Sequence, residues 1–228
     1  MEEMEVCFLM DRFGYMKLID KNAYERNKEA VHNENKYVFN CMNTDKICIF
    51  TDTGKMHTIK AVDIPLGRFR DKGTPVDNLS NYDSSQERML YVAPVGQLRS
   101  DRLLFVTKTS MCKLVEGAEF DVAKRTIAST KLADGDELIF IGSASEMEQI
   151  VLQSHGGCFL RFLTQEVSTM KKTALGVRGM KLADDDYLEH AYLLAGHQEY
   201  TISYHDKEYA LNKVRLAKRD TKGIKPRI

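Results

Sequence analysis

The chain lacks the sequence features of several large protein classes. It contains no apolar run near the roughly 18 residues that a membrane-spanning helix needs, so we expect no membrane partner. The first residues, MEEMEV, are acidic and lack an apolar core, so we expect no signal peptide. Long helical periodicity is absent. The 33 basic and 33 acidic residues cancel, so no global charge favours a nucleic-acid partner.

The number and spacing of the cysteines do not favour disulfides or a metal site. There are five of them, an odd number, and none form a CxxC spacing. Cys48, Cys112 and Cys158 lie within apolar strand-like segments. This pattern favours buried thiols in a reducing cytoplasm over disulfides or a metal site.

No group of residues suggests catalysis or metal binding. Ser154 and His155 are adjacent in a predicted turn, which does not give a nucleophile and base the geometry they need. The acidic run DDDYLE (184–189) lacks the spaced ligands and glycine of a calcium loop, and we interpret DGDE (134–137) in the same way. We therefore predict solvated acidic turns and no enzyme active site.

The main positive feature is a five-fold internal repeat. Each copy has a short apolar strand, a turn, a second strand and a basic stretch. The copies are residues 7–17, 48–58, 104–114, 151–161 and 201–211, and their matched turn positions are Gly14, Gly54, Ser110, Gly157 and Lys207. These positions are about 40 to 56 residues apart, a period typical of propellers and arrays, in which no unit buries its own apolar face.

The turns suit tight hairpins. Gly54 and Gly157 can take positive φ at no steric cost. Ser110 stands where glycine would be easier, so that turn is a candidate for a different geometry. The fifth copy is the most degenerate.

A linking arm follows each hairpin. Arm 2 (64–79), arm 3 (120–132), arm 4 (167–182) and arm 5 (214–225) each carry two or more Lys or Arg. Arm 1 (24–38) is different, because it holds three glutamates and no glycine. Residues 213–227 carry seven basic residues and one acidic residue, so charge is segregated even though it sums to zero.

Together these signals predict an all-β, propeller-like disc of about five four-stranded blades. We expect a single domain over residues 1–228, with repeats near 7–40, 47–90, 103–142, 150–194 and 200–228. The degenerate last copy leaves an open ring as an alternative to a closed one.

The order and spacing of the segments resemble the C-terminal domain of the A subunit of bacterial type IIA topoisomerases, DNA gyrase and topoisomerase IV. The likeness covers nearly the whole chain and is densest over 103–182, in LLFVTKTSMCKLVEGAEFD, LADGDELIFIG and IVLQSHGGCFLRFLTQEVSTMKKTALGVRGMKLADDD. The segment IPLGRFRDKGTPVDNL (64–79) is similar to one that links two blades in that family.

The resemblance implies a β-pinwheel, whose blades exchange strands and whose basic rim bends duplex DNA. It implies a non-catalytic domain of an ATP-dependent DNA topoisomerase, with ATP and Mg²⁺ used elsewhere in the holoenzyme and no cofactor in this domain. The implied partners are double-stranded DNA, the ATPase B subunit of the holoenzyme, and the rest of the A subunit. The implied location is the cytoplasm, in association with the nucleoid.

One departure from the family pattern bears on the parent enzyme. Gyrase carries a Gln-Arg/Lys-Arg-Gly-Gly-type box in its first blade, whereas the equivalent stretch here, NAYERNKEAVHNENKY (22–37), has no such box and no glycine. AKRDTKG (217–223) is only a faint echo. We therefore favour a topoisomerase IV-like parent, or a gyrase-A paralogue of reduced wrapping power, over a typical gyrase.

The candidate DNA contacts are the basic residues that recur in the arms. They are Arg68, Arg70, Lys72, Lys124, Arg125, Lys171, Lys172, Arg178, Lys218, Arg219 and Lys222. Radial symmetry would place them along one edge of the disc, where a curved row of cations matches a bent phosphate backbone. Such contacts position the duplex without reading bases, so we expect little sequence specificity.

Two alternatives stay open. The glycines Gly73, Gly176, Gly179 and Gly223 either let the backbone approach phosphate or only supply turn geometry. The whole chain could instead be a protein-interaction scaffold that uses its acidic face. Salt dependence separates these functions, because phosphate binding weakens steeply with salt.

Overall fold

Each of the first four repeats folds into a hairpin followed by a further strand, in a computed structural model that describes residues 1–228. The strands are β1 (Glu5–Met10), β2 (Tyr15–Ile19), β3 (Tyr37–Met42), β4 (Lys46–Thr51), β5 (Lys55–Lys60), β6 (Thr74–Pro75), β7 (Met89–Pro94), β8 (Arg102–Thr107), β9 (Met111–Glu116), β10 (Thr126–Ala128), β11 (Leu138–Ser143), β12 (Gln149–Ser154), β13 (Phe159–Leu163), β14 (Val177–Arg178), β15 (Leu188–Leu194), β16 (Thr201–Tyr204) and β17 (Lys207–Ala210).

Short helices complete the chain. The α-helices are α1 (Lys21–Arg26), α2 (Lys28–Glu34), α3 (Val76–Leu79) and α4 (Val95–Leu98), and 3₁₀ turns follow four of the hairpins at Ala61–Asp63, Gly117–Phe120, Thr164–Glu166 and Leu211–Lys213. No helix is long and apolar enough to cross a membrane.

The blades exchange strands. The sheet orders are β3-β1-β2-β6, β10-β5-β4-β7, β11-β8-β9-β14 and β13-β12-β15, with β16-β17 as a separate pair. The strands β6, β10 and β14 therefore pair with the hairpin of the preceding repeat. In the fourth blade an isolated bridge between Phe159 and Ile224 takes that place. This confirms a β-pinwheel of five blades, of which the first three have four strands, the fourth three and the fifth two.

The core lies between the blades, because hairpin strands are buried on both faces. In β1, Val6, Phe8 and Met10 pack toward the second blade. Cys7 and Leu9 point the other way. Further clusters join the second blade to the third, the third to the fourth and the fourth to the fifth. Four of the five clusters thus lie between blades, as the repeat period predicts, and the fifth lies on the outer face of the first blade.

Arm 1 is helical, which the sequence pattern did not predict. The side chain of Asp20 accepts a hydrogen bond from the Ala23 amide at 2.7 Å and so caps α1. Ala23 and Val31 bury their side chains against Cys7 and Leu9. Helices α1 and α2 therefore cover the face of the first blade that no other blade covers.

The hairpin turns match the prediction in three copies, and the different geometry expected at Ser110 was wrong. Gly14, Gly54 and Gly157 have φ of 84°, 77° and 90°, and Ser110 takes the same conformation at 75°. The Ser110 hydroxyl accepts a hydrogen bond from the Met180 amide at 2.7 Å, which offsets part of the backbone cost.

The fifth turn corrects the assignment of Lys207. That residue begins β17, and the positive φ angles fall on His205 and Asp206, at 50° and 61°. A two-residue loop replaces the longer glycine turn.

The acidic runs lie in turns next to the hairpin tips. Asp136 accepts a hydrogen bond from the Thr109 amide at 3.1 Å, and Asp186 accepts one from the Gly156 amide at 2.8 Å. These carboxylates therefore satisfy backbone groups of the neighbouring hairpin.

All five cysteines are free thiols, and four are buried. Burial raises the pKa of Cys112 to about 12. The predicted buried thiols are confirmed, with Cys158 half-buried.

Candidate nucleic-acid interface

Arms 2 to 5 lie on the outer rim of the disc. The strands β3, β7, β11 and β15 contact one another in succession, which places them on the inside. The exchanged segments stand at the opposite edge of each sheet. The basic arms therefore follow the outside, where a large ligand has access.

Arms 2, 4 and 5 each make an equivalent main-chain hydrogen bond to the preceding blade. The amides of Gly67, Met170 and Ala217 donate to the carbonyls of Leu18, Leu114 and Arg161, at 2.9, 2.7 and 2.8 Å. The residue that follows each of these amides is Arg68, Lys171 or Lys218. Each of these three arms thus carries a cation at an equivalent position on the rim.

Arm 3 is shorter than arms 2 and 4, and Lys124 and Arg125 directly precede β10. The carbonyl of Arg125 accepts a hydrogen bond from the Thr58 amide at 2.9 Å. The arm therefore pairs with β5 without the excursion that the other three arms make.

Six of the eleven candidate residues are exposed and make no ion pair or side-chain hydrogen bond. They are Arg68, Arg70, Lys124, Lys171, Lys218 and Lys222. Their charges are available to a ligand.

The other five candidates have partners within the protein. Arg178 pairs with Asp220, and the Lys172 ammonium lies 3.8 Å from Glu119. Arg219 donates to the main-chain carbonyls of Glu166 and Arg178 at 3.0 and 2.8 Å. The remaining two contacts are weaker: Arg125 to the Leu79 carbonyl at 3.3 Å, and Lys72 over the Tyr15 ring at 4.9 Å.

Three of the four arm glycines named in the sequence analysis have a backbone conformation that favours glycine. Gly73, Gly176 and Gly223 have φ of 87°, 105° and 75°. A Cβ at each would stand 2.6 to 2.8 Å from a main-chain carbonyl oxygen of the preceding blade, on Met16, Cys112 or Phe159. Gly179 has ordinary φ, but its Cβ would meet the Leu152 side chain at 2.6 Å. These contacts favour turn geometry and packing over approach to phosphate.

A basic groove separates arms 3 and 4. It has a volume of about 510 Å³ and is lined by Lys124, Lys131 and Lys172 together with three threonines. The Lys131 amide donates to the Lys172 carbonyl at 3.1 Å, which joins the two arms. Lys131 was not among the predicted contacts, because it follows the basic pair rather than belonging to it.

Two lysines outside the predicted set lie beneath the arms. Lys113, which is 1% exposed, donates from Nζ to the carbonyls of Lys172 and Ala174 at 2.9 and 2.7 Å. Lys17 donates in the same way to the carbonyls of Phe69 and Asp71. Each is the single cation in an apolar strand, YMKLI or MCKLV. This repeated pattern is the sequence feature by which both lysines could have been predicted to lie beneath the arms.

The buried Lys113 gives stability a pH dependence. Burial lowers its pKa to about 8, from an ordinary value of 10.5, against the opposing effect of Glu119. Between these values the unfolded chain binds more protons than the folded chain, so the free energy of unfolding should rise with pH. Urea unfolding at about pH 7.5 and about pH 9.5 should show a larger gain in the native chain than in Lys113→Met. Equal gains in both would contradict this assignment.

A family model described as the DNA gyrase C-terminal domain, beta-propeller, matches residues 45–84, 101–145 and 148–195. The DNA gyrase A subunit of Ureaplasma parvum serovar 3 is 25% identical over 236 residues, which cover 96% of this chain and 28% of the relative. The DNA gyrase A subunit of Salmonella typhimurium is 32% identical over 144 residues, or 62% of this chain and 16% of the relative. The chain thus spans less than a third of these curated relatives.

Solved structures give the same fold. The C-terminal domain of a DNA topoisomerase IV superposes with a TM-score of 0.84 at 22% identity, covering 98% of this chain and 72% of that one. A DNA gyrase A C-terminal domain superposes with a TM-score of 0.63 at 18% identity, covering 97% and 76%. At these identities the likeness bears on fold alone.

Proposed function

This chain belongs to the DNA gyrase C-terminal domain, beta-propeller, family, and from that premise we propose that it binds and bends duplex DNA along its outer rim. It does so as one non-catalytic unit over residues 1–228. The observation that carries the proposal is the recurrence of an unpaired cation, Arg68, Lys171 or Lys218, at the same place in three exchanged arms. Cations that repeat around a disc match a phosphate backbone that curves with it.

The remaining free cations add to this row. Arg70 and Lys222 belong to the same arms, and Lys124 opens into the groove between arms 3 and 4. Duplex DNA that follows the rim would pass each of these positions in turn. The contacts are to phosphate, so bendable sequences should be preferred and base identity should matter little.

The five partnered candidates take a smaller part in the proposal. Arg178 and Arg219 join arm 4 to arm 5 and hold the row in shape. Lys72, Arg125 and Lys172 are close enough to the rim to contribute after a change of side-chain rotamer.

We assign the chain to the A subunit of a type IIA topoisomerase, where it would present DNA to an ATPase B subunit and to the rest of its own polypeptide. ATP and Mg²⁺ would act in the holoenzyme, in the cytoplasm and near the nucleoid. We favour a topoisomerase IV-like parent. The stretch 22–37, which lacks the gyrase-type box, is occupied largely by α1 and α2, and these helices cover a blade face with no exposed glycine-rich loop.

The first test is binding of a fluorescent linear duplex of about 40 base pairs over a salt series. The logarithm of affinity should fall with the logarithm of salt by about 0.9 per phosphate contact, and six free cations predict a slope of roughly 5. Randomised duplex sequences should bind with similar affinity. No binding at low salt would contradict the proposal and leave a protein-interaction scaffold as the better account.

A further inference from the structure

We propose that Lys113 and Lys17 are positioning residues, which fix two basic arms in their DNA-binding shape by holding main-chain carbonyls from the inner side. This inference rests on the proposed function of the rim. It adds that the affinity of the arms for phosphate depends on the buried Lys113 and the half-buried Lys17, neither of which touches the ligand.

The contacts of Lys113 are concentrated on one segment. Its ammonium donates to the carbonyls of Lys171, Lys172 and Ala174, at 3.4, 2.9 and 2.7 Å. The ammonium also lies 5.6 Å from the centre of the Phe105 ring. Its three donors thus bind the turn of arm 4 that carries the exposed Lys171.

The same device occurs at an equivalent place in the first blade. Lys17 follows Gly14 by three residues, as Lys113 follows Ser110. It donates to the carbonyls of Phe69 and Asp71, on either side of Arg70 in arm 2, and lies 5.1 Å from the centre of the Phe69 ring. Two arms of different sequence are therefore anchored in one way.

The second blade uses a histidine at this position. One ring nitrogen of His57 lies 2.9 Å from the Thr126 hydroxyl, at the start of β10 in arm 3. The other lies 2.9 Å from the buried carboxylate of Glu87, which fixes the ring. Arm 3 is shorter than arms 2 and 4 and lies closer to its hairpin. The histidine side chain, which is shorter than that of lysine, therefore reaches it.

The fourth blade anchors its arm from the neighbouring position. Leu160 replaces the lysine, and Arg161 donates to the Val214 carbonyl of arm 5 at 2.7 Å. A basic side chain of the preceding blade thus holds each of arms 2 to 5.

Burial of Lys113 costs free energy that an apolar side chain would not cost. Burial lowers its pKa, and hydrogen bonds to three main-chain carbonyls of arm 4 offset part of that cost. A cation with three donors specifies the path of residues 168–176, a stretch of arm 4 in which no side chain is buried. An arm held in its bound shape loses less entropy when it binds phosphate.

The test compares Lys113→Met with Lys171→Ala in the 228-residue chain. Lys171→Ala should lower the salt slope of duplex binding by about 0.9, the value for one contact. Lys113→Met should lower it by a similar amount, although Lys113 is buried. The double variant should show no further loss, because both changes act through arm 4.

Amide hydrogen exchange measures directly how firmly arm 4 is held. Lys113→Met should raise exchange at the amides of residues 169–176 by tenfold or more, and Lys171→Ala should leave it unchanged. Lys113→Arg keeps the charge and the donors and should restore both the slope and the protection. The melting temperature of Lys113→Met should stay within a few degrees of the native value.

Several outcomes would overturn the proposal. One is a folded Lys113→Met chain that keeps native exchange in arm 4. Another is an additive loss in the double variant. If Lys113→Met does not fold, Lys17→Met replaces it, with arm 2 and Arg68 in the roles of arm 4 and Lys171. If neither variant folds, the lysines are core residues and the proposal is wrong.

Failure of the DNA-binding proposal is a separate result. If the native chain binds no duplex at any salt concentration, the salt slopes cannot be measured and the rim function falls. The exchange data still decide whether the lysines position the arms.

Discussion

Replacing Arg68, Lys171 and Lys218 together with glutamate is expected to weaken duplex binding at least about a hundredfold and to lower the salt slope by roughly 2.7. These side chains occupy equivalent rim positions, are exposed and have no partner in the protein. Reversal removes three phosphate contacts and adds repulsion at each. The measurement is the salt series of duplex binding, with circular dichroism to confirm the fold.

A matched control separates local contacts from net charge. Lys21, Lys28 and Lys207 are exposed and lie outside arms 2 to 5. Their replacement with glutamate changes the net charge by the same amount but should alter the slope by less than one contact. If both triple variants lose affinity equally, binding depends on overall charge and the rim assignment is wrong.

Gly176→Ala is expected to destabilise the fold by roughly 2–5 kcal/mol. Gly176 has a φ of 105°, and a Cβ there would lie 2.6 Å from the Cys112 carbonyl oxygen. The contact is with the backbone of β9, which cannot move without breaking its pairing with β8 and β14. The exchanged strand β14 begins at the next residue, so the same change should loosen the joint between the third and fourth blades. Urea unfolding measures the loss.

Gly135→Ala provides the comparison at similar φ. Gly135 has a φ of 77°, and no atom lies within 4 Å of a Cβ built there. Only the backbone cost remains, about 1–2 kcal/mol. A Gly176→Ala variant that is no less stable than Gly135→Ala would mean that the carbonyl contact does not constrain the exchanged strand.

Much of the architecture was readable because the hairpin signal is local. Short apolar strands with a glycine at the turn specify β-hairpins without reference to the rest of the chain. Ser110 kept the same turn because a distant partner, the Met180 amide, completes its hydrogen bonds. Arm 1 was missed as a helical segment because α1 and α2 are short, at six and seven residues. At that length helices depend on tertiary burial more than on periodicity.

The candidate rim was predictable as a set and not residue by residue. The spacing of basic residues identified the arms, but only the fold shows that Arg68, Lys171 and Lys218 are equivalent and unpaired. Arg178 and Arg219 look the same in sequence, yet their charges are satisfied by Asp220 and by main-chain carbonyls. Lys113 is buried, and its place as the single cation in the apolar strand MCKLV was the only sequence signal for it.

By itself, the sequence determined the all-β class, the five repeats, the position of the hairpins and the segregation of cations into arms. These follow from period, turn chemistry and composition, which are local properties of the chain. Only the tertiary structure decided which blade receives each arm, which cations remain free and which lysines bind the arms from the inner side. Those outcomes depend on contacts between residues far apart in the chain, such as Lys113 and Lys172, which are 59 positions apart. Pairing at that distance is set by how the blades stack, which no single segment encodes.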